Sequence, residues 1–435
     1  MRAGLGLRVN DDTRAFHMTF ERGRHAAVRA DQTTVRRANL GVVLRHIAEG
    51  EPCSRARVAA ETGLTRGTVS SLVGELIDLR LLRETGEDES PGRVGRPAQT
   101  LELADTAVAV GLEVNVDYLA VSLEDLTGQI RFERQVFVDN RRSAPGPVLD
   151  RLVRMARQAL DEAERQGLLV VGAGVAVPGL VGSEADVVLR APNLGWTGVP
   201  VASELRKRLP SLQPIRIENE ANLAALAEHW LGNARSSRNF IFVFGEIGVG
   251  SGIFVDGELF RGAHGFGGEF GHMTVDLAGG ALCACGSRGC LETVVGQEVI
   301  ARACGVEVAS GGRVQSVTAE LVRRAVDNDP LVHRTLDTVG STLGAALASA
   351  VNLFDLDAVV LGGCFGPLAP WLTKSVRVAL RDRVLSAEWS TCDVYPSALG
   401  ELAAVRGAAA VILRDVLSAP WSVGERRIAV IEAAS

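Results

Sequence analysis

The chain has 435 residues, a formal net charge of −6 and 47% apolar residues. This length is sufficient for roughly two or three domains with substantial cores, and the apolar fraction excludes a largely disordered protein. Glycine is abundant at 48 residues, while aromatic residues make up only 5%. That mixture is typical of α/β domains with tight turns between strands. The negative net charge by itself does not predict a nucleic-acid partner.

The cysteine content and the apolar runs indicate where the protein works. Seven cysteines, an odd number, favour a reducing cytoplasm over a disulfide framework. The most apolar run, residues 167–182, is interrupted by glycines and a proline, and it therefore predicts a buried strand rather than a membrane span. Because no long apolar stretch follows the N-terminal arginines, we expect a soluble, cytoplasmic protein with no membrane partner.

The N-terminal part of the chain predicts a group of short helices. Residues 1–30 show no hydrophobic periodicity and are predicted to form a flexible arm. Apolar residues then follow helical spacing over residues 34–50, and a second short helix is predicted for residues 54–60. Residues 62–65, Thr-Gly-Leu-Thr, predict a sharp turn before a third helix over residues 66–79.

This order of helices and turn is typical of a helix-turn-helix, and two strands predicted for residues 81–83 and 99–103 would add a wing. We therefore interpret residues 31–103 as a winged helix-turn-helix domain that binds double-stranded operator DNA. The candidate DNA contacts are Arg66, Thr68, Ser70 and Ser71 on the third helix, and Arg93 and Arg96 in the wing. Because ten arginines oppose eleven acids in this domain, a three-helix protein-interaction module remains the alternative.

From residue 104 the pattern changes to short apolar strands. Three strands are predicted between residues 108 and 138, and three more with the same spacing between residues 240 and 260. Helical segments follow each set. A duplicated unit of sheet and helices predicts two lobes with a cleft between them.

A compact cysteine motif predicts a metal site. Cys283, Cys285 and Cys290 lie within eight residues, and His272 precedes the first of them by eleven positions. Neighbouring glycines allow the backbone to turn back, so that three thiolates and one imidazole can converge. Four such ligands suit one closed, structural zinc ion (Zn²⁺) per chain. The alternative is a set of buried cysteines on a glycine-rich loop.

The order of the motifs resembles the ROK family, which joins bacterial sugar kinases to sugar-responsive repressors. The resemblance covers roughly residues 104–415, and it rests on the cysteine motif and on residues 178–179, 218–222, 248–252 and 267–272. The leading winged helix-turn-helix is similar to that of the repressor branch, such as the xylose repressors.

The resemblance implies an α/β fold, in which a winged helix-turn-helix precedes an actin/hexokinase-like domain of two ribonuclease-H-like lobes. On this basis the sensing domain would span residues 104–435, with lobes at about 104–232 and 233–400 and a C-terminal helix that returns to the first lobe. The family also implies a homodimer or homotetramer.

Departures from the kinase pattern predict that the protein is not an enzyme. In the kinases, a turn of the form Asp-x-Gly-Gly-Thr holds the ATP phosphates, whereas residues 113–117 here lack both glycines and add the carboxylate of Asp117. In the second phosphate turn, Glu246-Ile247 replaces Gly-Thr. Glu220 stands at the position of the catalytic aspartate, and its longer side chain displaces the carboxylate, so it is a degenerate base position.

The sugar-contacting positions of the family are otherwise retained. Carboxylates and amides bind adjacent hydroxyl groups of neutral sugars, while ordinary capping and turn chemistry is the alternative role for such residues. In the family the histidine also places one ring nitrogen on zinc and the other toward the sugar. The predicted ligand-binding residues are Asn193, Asn219, Glu220, Glu269, His272 and Glu292.

Together these features predict a repressor of carbohydrate metabolism that a neutral sugar or oligosaccharide releases from DNA. One alternative is an ATP-dependent sugar kinase with an accessory DNA-binding domain. Another is a repressor that is controlled by a protein partner.

Overall fold

The computed structural model of the protein describes residues 31–87, 99–141, 143–182, 186–307 and 314–425. The arm predicted for residues 1–30 lies outside the described residues, and so do Arg93 and Arg96 of the predicted wing. The described residues form twelve α-helices, two five-stranded sheets and two three-stranded sheets. The predicted α/β class is therefore confirmed.

The first group of elements is a winged helix-turn-helix, as predicted. Its elements are α1 (Gln32–Glu49), β1 (Cys53–Ser54), α2 (Arg55–Thr62), α3 (Arg66–Asp78), β2 (Leu82–Glu87) and β3 (Gln99–Leu103). Asp31, Ser54 and Thr65 cap the three helices by accepting hydrogen bonds from backbone N–H groups three residues further on. Gly63 ends α2 with a φ of 72°, a conformation that favours glycine. The strands pair antiparallel in the order β1-β3-β2.

The first lobe is built on a five-stranded sheet. Its elements are β4 (Ala107–Val114), β5 (Tyr118–Asp125), β6 (Ile130–Phe137), α4 (Pro145–Arg165), β7 (Leu169–Val177), β8 (Leu180–Gly182), β9 (Val187–Ala191), β10 (Trp196–Val199), α5 (Val201–Arg208), β11 (Ile215–Asn219) and α6 (Glu220–Leu231). The large sheet has the order β11-β7-β4-β5-β6, and β8 to β10 form a small antiparallel sheet. The apolar run that we predicted as one strand is divided into β7 and β8, because Pro178 and Gly179 turn the chain.

The second lobe repeats this arrangement. Its elements are β12 (Phe240–Gly245), β13 (Val249–Val255), β14 (Glu258–Leu259), α7 (Glu292–Val295), α8 (Gln297–Ala303), α9 (Val314–Val326), α10 (Pro330–Phe354), β15 (Ala358–Gly363), α11 (Phe365–Arg383) and β16 (Asp393–Pro396), followed by α12 (Ala403–Ser418). The sheet order β14-β13-β12-β15-β16 matches the first sheet strand for strand, with three antiparallel strands followed by two parallel ones. The predicted duplication is therefore confirmed. Among the described helices, none is long and apolar enough to cross a membrane.

The last helix, α12, joins the first lobe to the winged helix. One side of α12 packs on β4, β7 and α6, and α1 of the winged helix contacts it as well. Leu40 and Leu44 of α1 share a buried apolar cluster with Ile412 and Val416 of α12. The DNA-binding elements and the first lobe therefore have a common core, which neither composition nor periodicity predicted.

Candidate functional site

A cleft between the two lobes contains all six residues predicted to bind a ligand. The cavity in this cleft is lined, among others, by Asn193, Asn219, Glu220, Glu269, His272 and Glu292. The first three belong to the first lobe and the other three to the second. A ligand in this cavity would therefore contact both lobes at once.

Asn219 is the N-cap of α6, and its amide group is used within the protein. Its Oδ1 accepts hydrogen bonds from the backbone N–H groups of Ala221 (2.9 Å) and Asn222 (3.1 Å). Its Nδ2 donates to the carbonyl oxygen of Gly179 and to Oε2 of Glu220, both at 3.1 Å. We expected Asn219 to offer a donor and an acceptor to sugar hydroxyls. In this geometry its clear contribution is to hold Glu220 in the cavity.

Glu220 is the carboxyl group that the sequence places at the degenerate base position. Burial raises the pKa of Glu220 to about 8, and the nearby charges of Glu113 and Glu269 add to the effect. A carboxyl group with this pKa is largely protonated at neutral pH, so it both donates and accepts hydrogen bonds. That property suits a sugar hydroxyl better than it suits proton abstraction.

Glycines allow the loops of the second lobe to approach the cavity. A Cβ atom on Gly271 would lie 1.9 Å from the carbonyl oxygen of Val249, so the loop that carries Glu269 and His272 packs directly on β13. A Cβ atom on Gly248 would lie 2.7 Å from Oε2 of Glu292. The glycine turn that resembles a phosphate-binding turn therefore makes room for a carboxylate of the cavity.

The four predicted metal ligands converge beside the cavity. The donor atoms of His272, Cys283, Cys285 and Cys290 all lie within 4.8 Å of one another. Cys283 Sγ is 3.6 Å from His272 Nδ1, and Cys285 Sγ is 3.8 Å from Cys290 Sγ. A tetrahedral zinc ion with Zn–S bonds of about 2.3 Å separates its sulfur ligands by about 3.8 Å. The cluster therefore fits a metal ion of that size and geometry.

The surroundings of Cys285 favour the thiolate form that binds metal. The backbone N–H of Cys285 donates to Cys283 Sγ over 3.3 Å, and the backbone N–H of Ser287 donates to Cys285 Sγ over 3.4 Å. Burial raises the pKa of Cys285, but the N–H of Ser287 and the hydrogen bonds with Cys283 and Cys290 outweigh it and lower the pKa to about 7. A thiol with this pKa is about half deprotonated at pH 7. Burial raises the pKa of Cys283 and Cys290 instead, so these two thiols must release protons when a metal binds.

The metal cluster and the cavity share two side chains. Oε1 of Glu292 lies 2.7 Å from Cys283 Sγ and 3.7 Å from Nδ1 of His272. The other ring nitrogen of His272, Nε2, lies 3.8 Å from Oε2 of Glu269. One side of the imidazole therefore faces the cysteines and the other faces the cavity.

A second acidic group lies at the back of the cleft, and sequence reasoning did not identify it as a site. It consists of Glu113 and Asp117 from the first lobe and Glu246 from the second. Burial raises the pKa of Glu113 to about 7, and burial together with the charges of Asp117 and Glu113 raises the pKa of Glu246. The sequence had shown acids in place of phosphate-binding glycines, but not that the two turns meet.

The third helix presents the four predicted DNA contacts at the protein surface. Arg66, Ser70 and Ser71 are exposed, and Thr68 is half-buried because its N–H and hydroxyl both contact Thr65 Oγ1 at the N-cap. The buried face of α3 consists of Val69, Leu72, Val73 and Leu76. The polar face of α3 therefore lies at the protein surface.

Two arginines that the sequence analysis missed flank this face. Arg55 Nη1, at the start of α2, donates to Ser70 Oγ over 3.0 Å, and Arg36 Nη2, on α1, donates to Ser71 Oγ over 3.2 Å. Each guanidinium also pairs with a glutamate. Both arginines lie outside the third helix, so a search for polar residues on that helix could not find them.

Comparison with known proteins agrees with this architecture. The ROK family model matches residues 109–415, and the MarR family model matches residues 42–93. The chain is 30% identical over 388 residues to the xylose repressor of Bacillus subtilis (strain 168), a match that covers 89% of this chain and 98% of that protein.

Solved structures extend the comparison. The crystal structure of a ROK family transcriptional regulator, a homologue of the E. coli MLC protein, has a TM-score of 0.74 and 28% identity, covering 90% of this chain and 99% of that one. A ROK family glucokinase from Streptomyces griseus, in complex with glucose and AMPPNP, has a TM-score of 0.59 and 26% identity, covering 70% and 98%. The chain therefore belongs to the ROK family, and a MarR-type winged helix precedes its ROK domain.

Proposed function

We propose that this protein is a transcriptional repressor that binds operator DNA through its winged helix and leaves it when a neutral sugar binds between the lobes. The main support is that one chain combines a winged helix with a ROK domain over nearly the whole length of a xylose repressor. The proposal includes a DNA-binding domain at residues 31–103 and a sensor at residues 104–435. It also includes a homodimer or homotetramer, because two winged helices read the two halves of a palindromic operator.

The chemistry of the cavity supports a neutral effector. Glu220, Glu246, Glu269 and Glu292 line it, and none of the described lining residues is a lysine or an arginine. Carboxyl groups bind hydroxyls well in either protonation state, whereas a phosphate group finds no cationic side chain among the described lining residues and is repelled by any carboxylate that is ionised. We therefore propose a mono- or oligosaccharide without phosphate as the effector.

The metal cluster would hold one zinc ion through His272, Cys283, Cys285 and Cys290. Zinc bound there would stabilise the loop and fix the orientation of the imidazole. Because His272 and Glu292 also face the cavity, we propose that this loop positions part of the sugar site. Its role is structural.

A sugar kinase is the second candidate, since the family includes a glucokinase of similar structure. The carboxyl groups of Glu113, Asp117 and Glu246 stand in the two turns that resemble phosphate-binding turns, and the longer side chain of Glu220 displaces the carboxyl group from the base position. Both features disfavour phosphate transfer. We therefore propose that the protein is not an enzyme.

Calorimetry with the zinc-loaded protein tests the sugar site. D-xylose, D-glucose and D-glucose 6-phosphate would be titrated into the wild type, into Glu269→Ala, and into Glu258→Ala, whose side chain is exposed outside the cavity. We expect a neutral sugar to bind the wild type and Glu258→Ala alike. Loss of the hydrogen bonds between a sugar hydroxyl and this carboxyl group predicts binding about 10-fold or more weaker in Glu269→Ala.

Tighter binding of the sugar phosphate than of its parent sugar would contradict the proposed effector class. If no sugar in a wider panel binds folded, zinc-loaded protein, the sugar-sensing proposal fails, and regulation by a protein partner becomes the better hypothesis.

A further inference from the structure

A direct hydrogen bond joins the two acidic turns at the back of the cleft. Asn115, in the turn between β4 and β5, donates from Nδ2 to Oε2 of Glu246, in the turn between β12 and β13, over 2.6 Å. Beside it, the hydroxyl of Tyr118 lies 3.4 Å from Oε1 of Glu246 and 2.7 Å from Oε1 of Glu113. Asn115 is 2% exposed and Tyr118 is 3% exposed. The donor side of this contact, which we call the inter-lobe bond, is therefore buried, while the acceptor residue Glu246 is partly exposed at the cavity.

Each partner of the inter-lobe bond is held firmly within its own lobe. The side-chain oxygen of Asn115 accepts from the next backbone N–H (2.6 Å), and its carbonyl accepts from Nδ2 of Asn140 (2.7 Å). The backbone N–H of Glu246 donates to the carbonyl of Gly248 (2.9 Å), and its own carbonyl accepts from the N–H of Gln297 (3.1 Å). These bonds fix the backbone of both turns, so a separation of the lobes would break the inter-lobe bond.

The lobes are also joined by other contacts. Helices α6 and α12 share a buried apolar cluster with the second sheet. Arg141 pairs with Glu298 over 3.0 Å, with side chains 31% and 29% exposed, and Arg261 pairs with Glu218. Ion pairs that remain partly exposed to water contribute little to stability. Among these polar contacts, the inter-lobe bond has the most buried donor, so it is the one expected to hold the two turns together.

The inter-lobe bond is also close to the connection with the winged helix. The chain returns from the second lobe at residues 397–402 and then forms α12. A Cβ atom on Gly111, in the strand that leads to Asn115, would lie 2.1 Å from the carbonyl oxygen of Val405 at the start of α12. At the other end, a Cβ atom on Gly41 of α1 would lie 2.7 Å from the carbonyl oxygen of Ser418. One rigid helix thus contacts both the strand that leads to the bond and the DNA-binding elements.

We propose that Asn115 is a positioning residue for the effector site, and that its hydrogen bond to Glu246 holds the lobes in the arrangement that brings Glu220 and Glu269 to opposite walls of one cavity. The inter-lobe bond connects the two turns that resemble the phosphate-binding turns of the kinases. A hydrogen bond within the protein therefore lies where a nucleotide would lie between the lobes of a kinase. Without the inter-lobe bond, the lobes separate more often. The free energy needed to close them then weakens the observed binding of a sugar. The part of this inference that concerns a sugar rests on the proposed function.

Hydrogen–deuterium exchange of the whole, zinc-loaded protein tests the inter-lobe bond without any ligand. Asn115→Ala removes the donor, whereas Glu246→Gln keeps an acceptor oxygen for Asn115. We expect Asn115→Ala to raise the exchange rate of the backbone amides at residues 244–250 and 297–300 in the second lobe by about 5-fold, the effect of losing one typical hydrogen bond. Glu246→Gln is expected to exchange like the wild type in these segments.

The second-lobe segments are decisive because Asn115 reaches them only across the cleft. If the faster exchange in Asn115→Ala is confined to residues 113–120, Asn115 merely stabilises its own turn and the proposal is overturned. A loss of protection throughout the chain would show general unfolding, and it would also overturn the proposal.

A titration with D-xylose, or with whichever neutral sugar binds the wild type, then tests the consequence for the effector. We expect the apparent Kd of Asn115→Ala to rise by the same factor by which the closed fraction falls, because only the closed fraction binds. An unchanged Kd together with faster second-lobe exchange would contradict the positioning role. If no sugar binds the wild type, the proposed function fails, while the exchange experiment still decides whether the inter-lobe bond controls the lobes.

Discussion

The buried carboxyl group of Glu113 should make the stability of the protein depend on pH. Burial raises its pKa from the ordinary value of 4.5 to about 7. The folded state therefore binds a proton more tightly than the unfolded state, so the stabilisation is complete below pH 4.5 and is lost as the pH rises through about 7. At about 1.4 kcal/mol per pKa unit, the shift from 4.5 to about 7 contributes roughly 3 kcal/mol to the free energy of unfolding. Roughly 2 kcal/mol of this contribution is lost between pH 5.5 and pH 8.

Glu113→Gln isolates this contribution. Glutamine keeps the oxygen that accepts the hydrogen bond from Tyr118 but carries no ionisable proton. Urea unfolding at pH 5.5 and pH 8 would measure the free energy of unfolding of the wild type, of Glu113→Gln, and of Glu164→Gln, a control at an exposed surface position. Other buried carboxyl groups remain in all three proteins, so the difference between them reports on Glu113.

We expect the loss of stability between pH 5.5 and 8 to be smaller by about 2 kcal/mol in Glu113→Gln than in the wild type and the control. Equal pH dependence in all three proteins would refute the reasoning. It would mean that Glu113 ionises as easily in the folded protein as in water.

Three further predictions concern the metal, the DNA and the alternative enzyme activity. Protein purified without added metal should contain about one equivalent of zinc by elemental analysis, and Cys290→Ser should lose the metal and lower Tm; well-folded wild type without zinc would contradict this. In mobility-shift assays, Arg66→Ala and Arg55→Ala should each weaken operator binding. Loss of a phosphate contact should also reduce the slope of log affinity against log salt concentration by about one. Wild-type binding by both variants would show that α3 does not face DNA. A coupled assay with ATP and D-glucose should give no turnover above that of Glu220→Ala, and measurable turnover would restore the kinase hypothesis.

Much of the fold could be predicted because local rules and long-range packing agree. Ser54 and Thr65 are capping residues followed by helical apolar spacing, and the predicted helices form within a few residues of the expected bounds. The two sets of three strands could be recognised in the sequence because polar turns separate their apolar runs. The convergence of the three thiol groups could be predicted because Cys283, Cys285 and Cys290 lie close together in a glycine-containing turn.

The remaining features depend on contacts between distant segments. Asn115 and Glu246 are 131 positions apart and belong to different lobes, so no local pattern shows that they form a hydrogen bond. The role of Asn219 was predicted from its residue type, but the amide that would contact a sugar is engaged by the N-terminus of α6 and by Glu220. Likewise, Arg36 reaches the polar face of α3 only because α1 packs against it.

The most direct test of the central claim is a mobility-shift titration of DNA that the wild-type protein selects from a random pool, with and without a saturating neutral sugar. The account predicts that the wild type selects a palindromic site and that sugar weakens its binding by about 5- to 150-fold, a typical allosteric coupling. Glu269→Ala changes a residue that lines the cleft and lies far from the winged helix in sequence. This variant should bind the same DNA as tightly as the wild type but respond only at sugar concentrations about 10-fold or more higher. If a sugar that binds the protein leaves DNA affinity unchanged, or if the protein selects no DNA sequence, the claim of a sugar-responsive repressor is contradicted.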